Sequence, residues 1–130
     1  MDYRIEFEAK RRILLLTFQN DLTESSFSAG FFAAAAFAET HAVEGVITDL
    51  SEVGELVVTG DRVRTFVDSY PAIAPSKTRV VVAPRDDVYG IARMFQIYRE
   101  ASDTGLQVVR SMDEAWKVMG LDSPVFDPIT

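Results

Sequence analysis

The chain has no cysteine and only one histidine and one tryptophan among its 130 residues. Without cysteine there is no disulfide, no thiolate metal site and no thiol nucleophile. The single histidine, His41, follows a helical stretch and has no Ser or carboxylate arrangement around it that would make it a base. Near a helix C-terminus such a residue reads as a surface group favoured by the helix dipole. The seven glycines and five prolines are scattered, so neither a phosphate-cradling glycine loop nor a flexible linker is present. A long hydrophobic run is absent too. The longest, FSAGFFAAAAFA at residues 27–38, falls well short of the ~20 residues that span a bilayer. No charged start leads into an apolar stretch and a small-residue cleavage site, so the expectation is a cytoplasmic chain with no secretory signal and no membrane span. The common catalytic constellations do not assemble from what remains. No enzyme activity, no cofactor and no metal site is expected.

What is present is ordinary globular material, 48% hydrophobic and 25% charged. The length suits one core, with residues 1–121 as the domain and 122–130 as a short tail. Acidic residues outnumber basic ones by 20 to 13, a net charge of −7. That balance repels phosphate backbones, so no nucleic-acid partner is expected. The one tight basic cluster, Lys10, Arg11 and Arg12, falls where a hairpin turn belongs.

Residues 3–8 alternate apolar and charged, as a strand with one buried face does. Residues 12–18, RILLLTF, are continuously apolar and read as a strand buried on both faces. Thr23 or Ser25 caps a helix that runs to about residue 41. On its wheel Phe27, Phe31, Ala34, Ala35 and Ala38 share one face, leaving Phe32 and Phe37 on opposite flanks. Residues 43–50 give a third strand ending around Asp49, followed by a loop. Residues 60–70 give a helix with Val63, Phe66 and Val67 inward, closed by Pro71 and Pro75. The clearest buried strand is residues 78–83. Asp86 and Asp87 open a third helix with Val88, Ile91, Ala92, Phe95 and Tyr98 on its apolar face, its region ended by Gly105. Residues 106–109 supply a fifth strand. Ser111 and Glu114 form a capping box for a last short helix, ended by Gly120, and a loosely docked tail follows. The order ββαβαβαβα calls for a mixed five-stranded α/β sheet with an N-terminal hairpin and four helices packed on it.

That order resembles the STAS/SpoIIAA-like domains, best known as anti-sigma factor antagonists. The stretch that carries the resemblance is Val46-Ile47-Thr48-Asp49-Leu50-Ser51-Glu52-Val53, followed by Thr59-Gly60. The second half, with YGIARMFQIYRE and VVRSMDEAWKVMGL, is similar to the branch labelled STAS/SEC14-like. The resemblance implies a regulatory module that binds a protein partner such as a kinase-type regulator, self-associates as a homodimer, and carries a phosphoacceptor at Thr59. One departure stands out. Val57-Val58 replaces the family's Asp-Ser ahead of that hydroxyl, so the phosphoswitch is degenerate.

Thr59 also has a case from its own position. A hydroxyl before Gly60 at a helix start sits where free amides favour negative charge, and a phosphate there would add nearly two charges. The plainer reading makes Thr59 an N-cap supported by Asp61. Around it Asp49, Ser51, Glu52, Glu55, Gly60 and Asp61 make up the expected recognition edge. The aromatic residues Phe27, Phe31, Phe32, Phe37, Phe95 and Tyr98 exceed what one helix face needs, and are expected to form an apolar pocket or an interface. The pocket alternative is a carrier or sensor of a small apolar ligand, with a cavity of a few hundred Å³ lined by Phe27, Phe31, Phe95 and Tyr98.

Overall fold

Glu8 sets the first turn. Its buried carboxylate accepts hydrogen bonds from the backbone N–H groups of Lys10 (3.0 Å) and Arg11 (2.7 Å). It thereby closes the hairpin between β1 (Tyr3–Glu8) and β2 (Ile13–Leu22), which pair antiparallel. The computed structural model describes residues 2–70, 72–100 and 105–129. Pro71, one of the two prolines expected to close the second helix, and residues 101–104, just ahead of the Gly105 expected to end the third, lie outside them.

Helix α1 (Glu24–Thr40) is capped by Thr23, whose hydroxyl accepts from Ser26 N–H at 3.0 Å. Then follow β3 (Gly45–Leu56), α2 (Gly60–Ser69), β4 (Thr78–Val82), α3 (Asp86–Glu100), β5 (Leu106–Val109) and α4 (Met112–Met119). Helix α4 starts at the Ser111 cap, which uses one arm of the expected box, accepting from Glu114 N–H at 3.2 Å. It ends on left-handed Gly120 (φ 67°), with the Leu121 N–H bonded to the Trp116 carbonyl at 2.8 Å.

With a short β6 (Asp127–Pro128), the result is a mixed sheet of six strands, ordered β5-β4-β3-β2-β1-β6. Strands β2 to β5 are parallel, and each is added on the same side of the one before. Crossovers of constant hand then place α1, α2 and α3 on one face. Helix α4 has no further parallel strand to feed and covers the other face.

Three expectations need correction. The second strand, expected at residues 12–18, runs from Ile13 to Leu22. The sheet has six strands, because the tail returns along the α4 face, where Leu121 and Phe126 pack, and residues Asp127–Pro128 pair antiparallel with β1 as β6. Proline at this outer edge leaves no ladder donor unmet. The third strand is also longer than expected. Asp49 lies inside β3, which continues to Leu56 alongside β2 through two irregularities of register. There Leu50 and Ser51 lie opposite Phe18, and Gly54 and Glu55 opposite Asp21, as in β-bulges.

Alternation along the strands divides the core in two. Leu14, Leu16, Phe18, Val46, Leu50 and Val81 face α1–α3, while Ile13, Leu15, Ile47, Val80, Val82 and Val109 face α4.

Candidate functional site

Past Asp49, whose register partner on β4 is Val82, β3 is paired only with β2. Residues 51–56 and 19–22 thus make a two-stranded ribbon that outruns the sheet. An open edge of this kind needs a cover for its backbone groups. Arg85 supplies it, donating to the carbonyls of Val53 (3.0 Å) and Gly54 (2.7 Å) while its Nε pairs with Asp87 at 2.7 Å. Arg4 reaches across β2 with two bonds to Glu52 (3.2 and 2.7 Å), and these hold the Glu52 carboxyl below its ordinary value. Asp49 is buried and accepts from Ser51 N–H at 2.9 Å. Its neighbours in register, Thr17 and Val82, set it on the α4 face. Ser51, Glu52, Glu55, Thr59 and Asp61 are exposed and Gly60 half-exposed. Among the described residues no three acidic or histidine side chains gather as metal ligands would. Thr59 caps α2, its hydroxyl accepting from Arg62 N–H at 3.4 Å.

The second site lies between the sheet and α1–α3. A cavity of about 90 Å³ opens there, and the surface it offers is almost wholly apolar. Its walls are rings. Phe27 stacks on Phe18 at 5.5 Å and meets Phe66 edge-on at 4.8 Å and Phe95 edge-on at 6.0 Å. Phe31 stands at 90° to Phe66, centroids 4.8 Å apart. Edge-to-face contacts are favourable between ring pairs, but flat rigid rings converging from α1, α2 and α3 do not interdigitate, and space remains between them. Leu16, Val46, Thr48 and Val81 form the sheet-side floor. At the far end lie the buried side chains of Arg79 and Arg99. Arg99 donates to the carbonyls of Val67 (3.4 Å) and Tyr70 (2.6 Å), with its guanidinium 5.2 Å from the Phe95 ring centre.

At about 24 cal/mol per Å³, unfilled space of 90 Å³ costs about 2 kcal/mol relative to a filled core. In a protein stable by only some 5–15 kcal/mol, that is a substantial fraction.

Of the four aromatics expected to line a cavity, Phe27, Phe31 and Phe95 do and Tyr98 does not, and the flanking Phe32 and Phe37 lie away from it. Phe37 packs edge-on against Phe7 at 5.1 Å and stacks on His41, Phe32 is exposed against Tyr70, and Tyr98 lies under Arg64. The cavity is also smaller than the few hundred Å³ expected. Among the cavity residues that the sequence did not place in the site are Phe66, Glu24 and Arg62. Phe66 was read only as an inward residue. Glu24 and Arg62 meet across 38 positions, a separation at which no local pattern speaks. No protein-family model matches the chain, and no curated protein matches it.

Proposed function

We propose that this chain is a non-catalytic regulatory module of STAS/SpoIIAA-like type that senses or carries a small apolar ligand in the cavity between its sheet and α1–α3. The observation that carries this reading is the aromatic box itself: Phe27, Phe31, Phe66 and Phe95 around unfilled apolar space. Cavities of this character stay dry and take up small apolar molecules. An engineered example of ~150 Å³ accepts benzene or xenon. The cavity here sets the limit at about one ring.

Titration with benzene followed by amide NMR tests the reading. Saturable shifts are expected at amides around the four rings. They should vanish in Ala92→Leu, where α3 would fill the space, with Val46→Leu as a second filling variant. Linear, unsaturated shifts, or equal shifts in the filled variants, would refute it.

A second reading rests on the ribbon. Residues 51–56 project beyond β4, Val57 is 56% exposed, and Thr59 presents its hydroxyl beside them. This supports a recognition edge for a protein partner, such as a kinase-type regulator or a second copy of the chain, with Thr59 as the point at which a phosphate would act. Sedimentation of the wild type against Val57→Asp and Thr59→Asp tests the homodimer. A dimer weakened by either change supports this edge, and a monomer at every concentration removes self-association from the account.

A further inference from the structure

Among the described residues that line the cavity, only Glu24 and Arg62 are exposed, with 57% and 56% of their side chains open to solvent. They therefore mark its mouth. The two side chains are joined across it. Arg62 Nε donates to one Glu24 oxygen at 2.9 Å and Nη2 to the other at 2.8 Å, the parallel two-bond geometry that fixes a guanidinium against a carboxylate. Hydrogen bonding to Glu24 raises the Arg62 pKa, so the guanidinium holds its charge.

Both partners stand on helix starts. Glu24 opens α1 directly after its Thr23 cap, where a negative charge suits the helix dipole. Arg62 lies in the first turn of α2, its backbone N–H capped by Thr59 and its neighbour Val63 lining the cavity. Two helices that wall one cavity are thus tied at the rim by a single ion pair. Exposed pairs of this kind contribute little to stability and break readily, whereas the box behind is held by rings that are buried (Phe31, Phe66) or half-buried (Phe27, Phe95).

We propose that the Glu24–Arg62 pair is the gate of this cavity, and that what passes it is a compact uncharged molecule no larger than a single aromatic ring. The inference rests on the ligand reading above. An uncharged ligand follows from the surface the cavity offers, which is nearly all apolar. The guanidinium groups at its far end are bonded to backbone carbonyls, Arg99 to Val67 and Tyr70 and Arg79 to Lys77, so a charged group inside would lose hydration. The gate touches the path and not the bound ligand. Breaking it therefore changes how fast the ligand exchanges, and leaves affinity alone.

Benzene is the probe, and exchange rates and affinity are read together by NMR line-shape analysis. Arg62→Ala and Glu24→Gln should each raise association and dissociation rates several-fold with Kd unchanged. Raised salt should do the same to the wild type, since screening weakens an exposed pair. The exchanged pair, Glu24→Arg with Arg62→Glu, should return the rates toward those of the wild type. Wild-type rates in both single variants would overturn the gate and leave the ligand reading standing, as would a changed Kd that arises from the dissociation rate alone with association unchanged. Absence of saturable binding in wild type and Arg62→Ala alike would overturn both.

Discussion

The two faces of the sheet carry the same kinds of strand residue and end in different states of packing. On the α4 face one short helix and the returning tail lie over Ile13, Leu15, Ile47, Val80 and Val82. A single helix can settle onto a strand surface until its side chains fill the grooves. On the other face three helices arrive over the same strands, each fixed by its own crossover and cap, and the space where they converge is lined by phenylalanine rings. Packing to crystal-like density needs partners free to adjust. Three helices meeting at one point have less freedom than one, and the void forms where they meet.

The most forceful way to sharpen this comparison is to shorten two leucines on one strand. Leu14 and Leu16 are both fully buried and both face α1–α3, but only Leu16 borders the cavity. Leu14→Ala should cost toward the upper end of about 2–5 kcal/mol and Leu16→Ala toward the lower end, because a side chain beside a void has fewer contacts to lose. Urea unfolding of both variants measures the difference, and equal costs would deny that the void is real. Next in size is Gly30, at which α1 meets β2. A Cβ there would stand 2.6 Å from a Phe18 ring carbon. Gly30→Val should therefore destabilise by about 1–3 kcal/mol. Gly90 offers the opposite case. It lies inside α3 with no atom within 4 Å of an added Cβ, so Gly90→Ala should raise stability by about 0.5–1 kcal/mol in thermal melts.

The smallest effect belongs to the ribbon. Hydrogen bonding from Arg4 lowers the Glu52 pKa from 4.5. A carboxyl that titrates lower when folded stabilises the fold above its unfolded value, and that contribution disappears as pH falls through the folded value. With 42% of the Glu52 side chain exposed, the contribution stays below about 1 kcal/mol. Glu52→Gln should lower stability at neutral pH by less than about 1 kcal/mol and flatten the stability curve below about pH 4.5.

Local chemistry made much of this fold legible in advance. The caps Thr23, Thr59 and Ser111 mark helix starts, and alternation in residues 3–8 and the apolar run in 78–82 mark strands. Contacts between distant segments left no such trace. SEVGEL at residues 51–56 reads as a loop because its glycine and glutamates have low strand propensity. It is a strand because β2 continues beside it and Arg85 covers its other edge. Two residues ending in proline, Asp127–Pro128, carry no strand signal and pair only because β1 has a free edge. In the site, Phe27, Phe31 and Phe95 were visible as stripe residues. Their meeting with Phe66 depends on how far α1, α2 and α3 lean together, which periodicity does not encode. The burial of Arg79 and Arg99 was hidden for a similar reason, since a long charged side chain at one strand or helix position gives no sign of what will close over it.

The central claim is that the space between Phe27, Phe66 and Phe95 receives an apolar molecule. A crystal structure of the protein equilibrated with benzene tests it most directly. The account predicts ring-shaped density inside that box in the wild type and none in Ala92→Leu. A box closed by inward movement of the rings, or filled with ordered water in place of benzene, would contradict it.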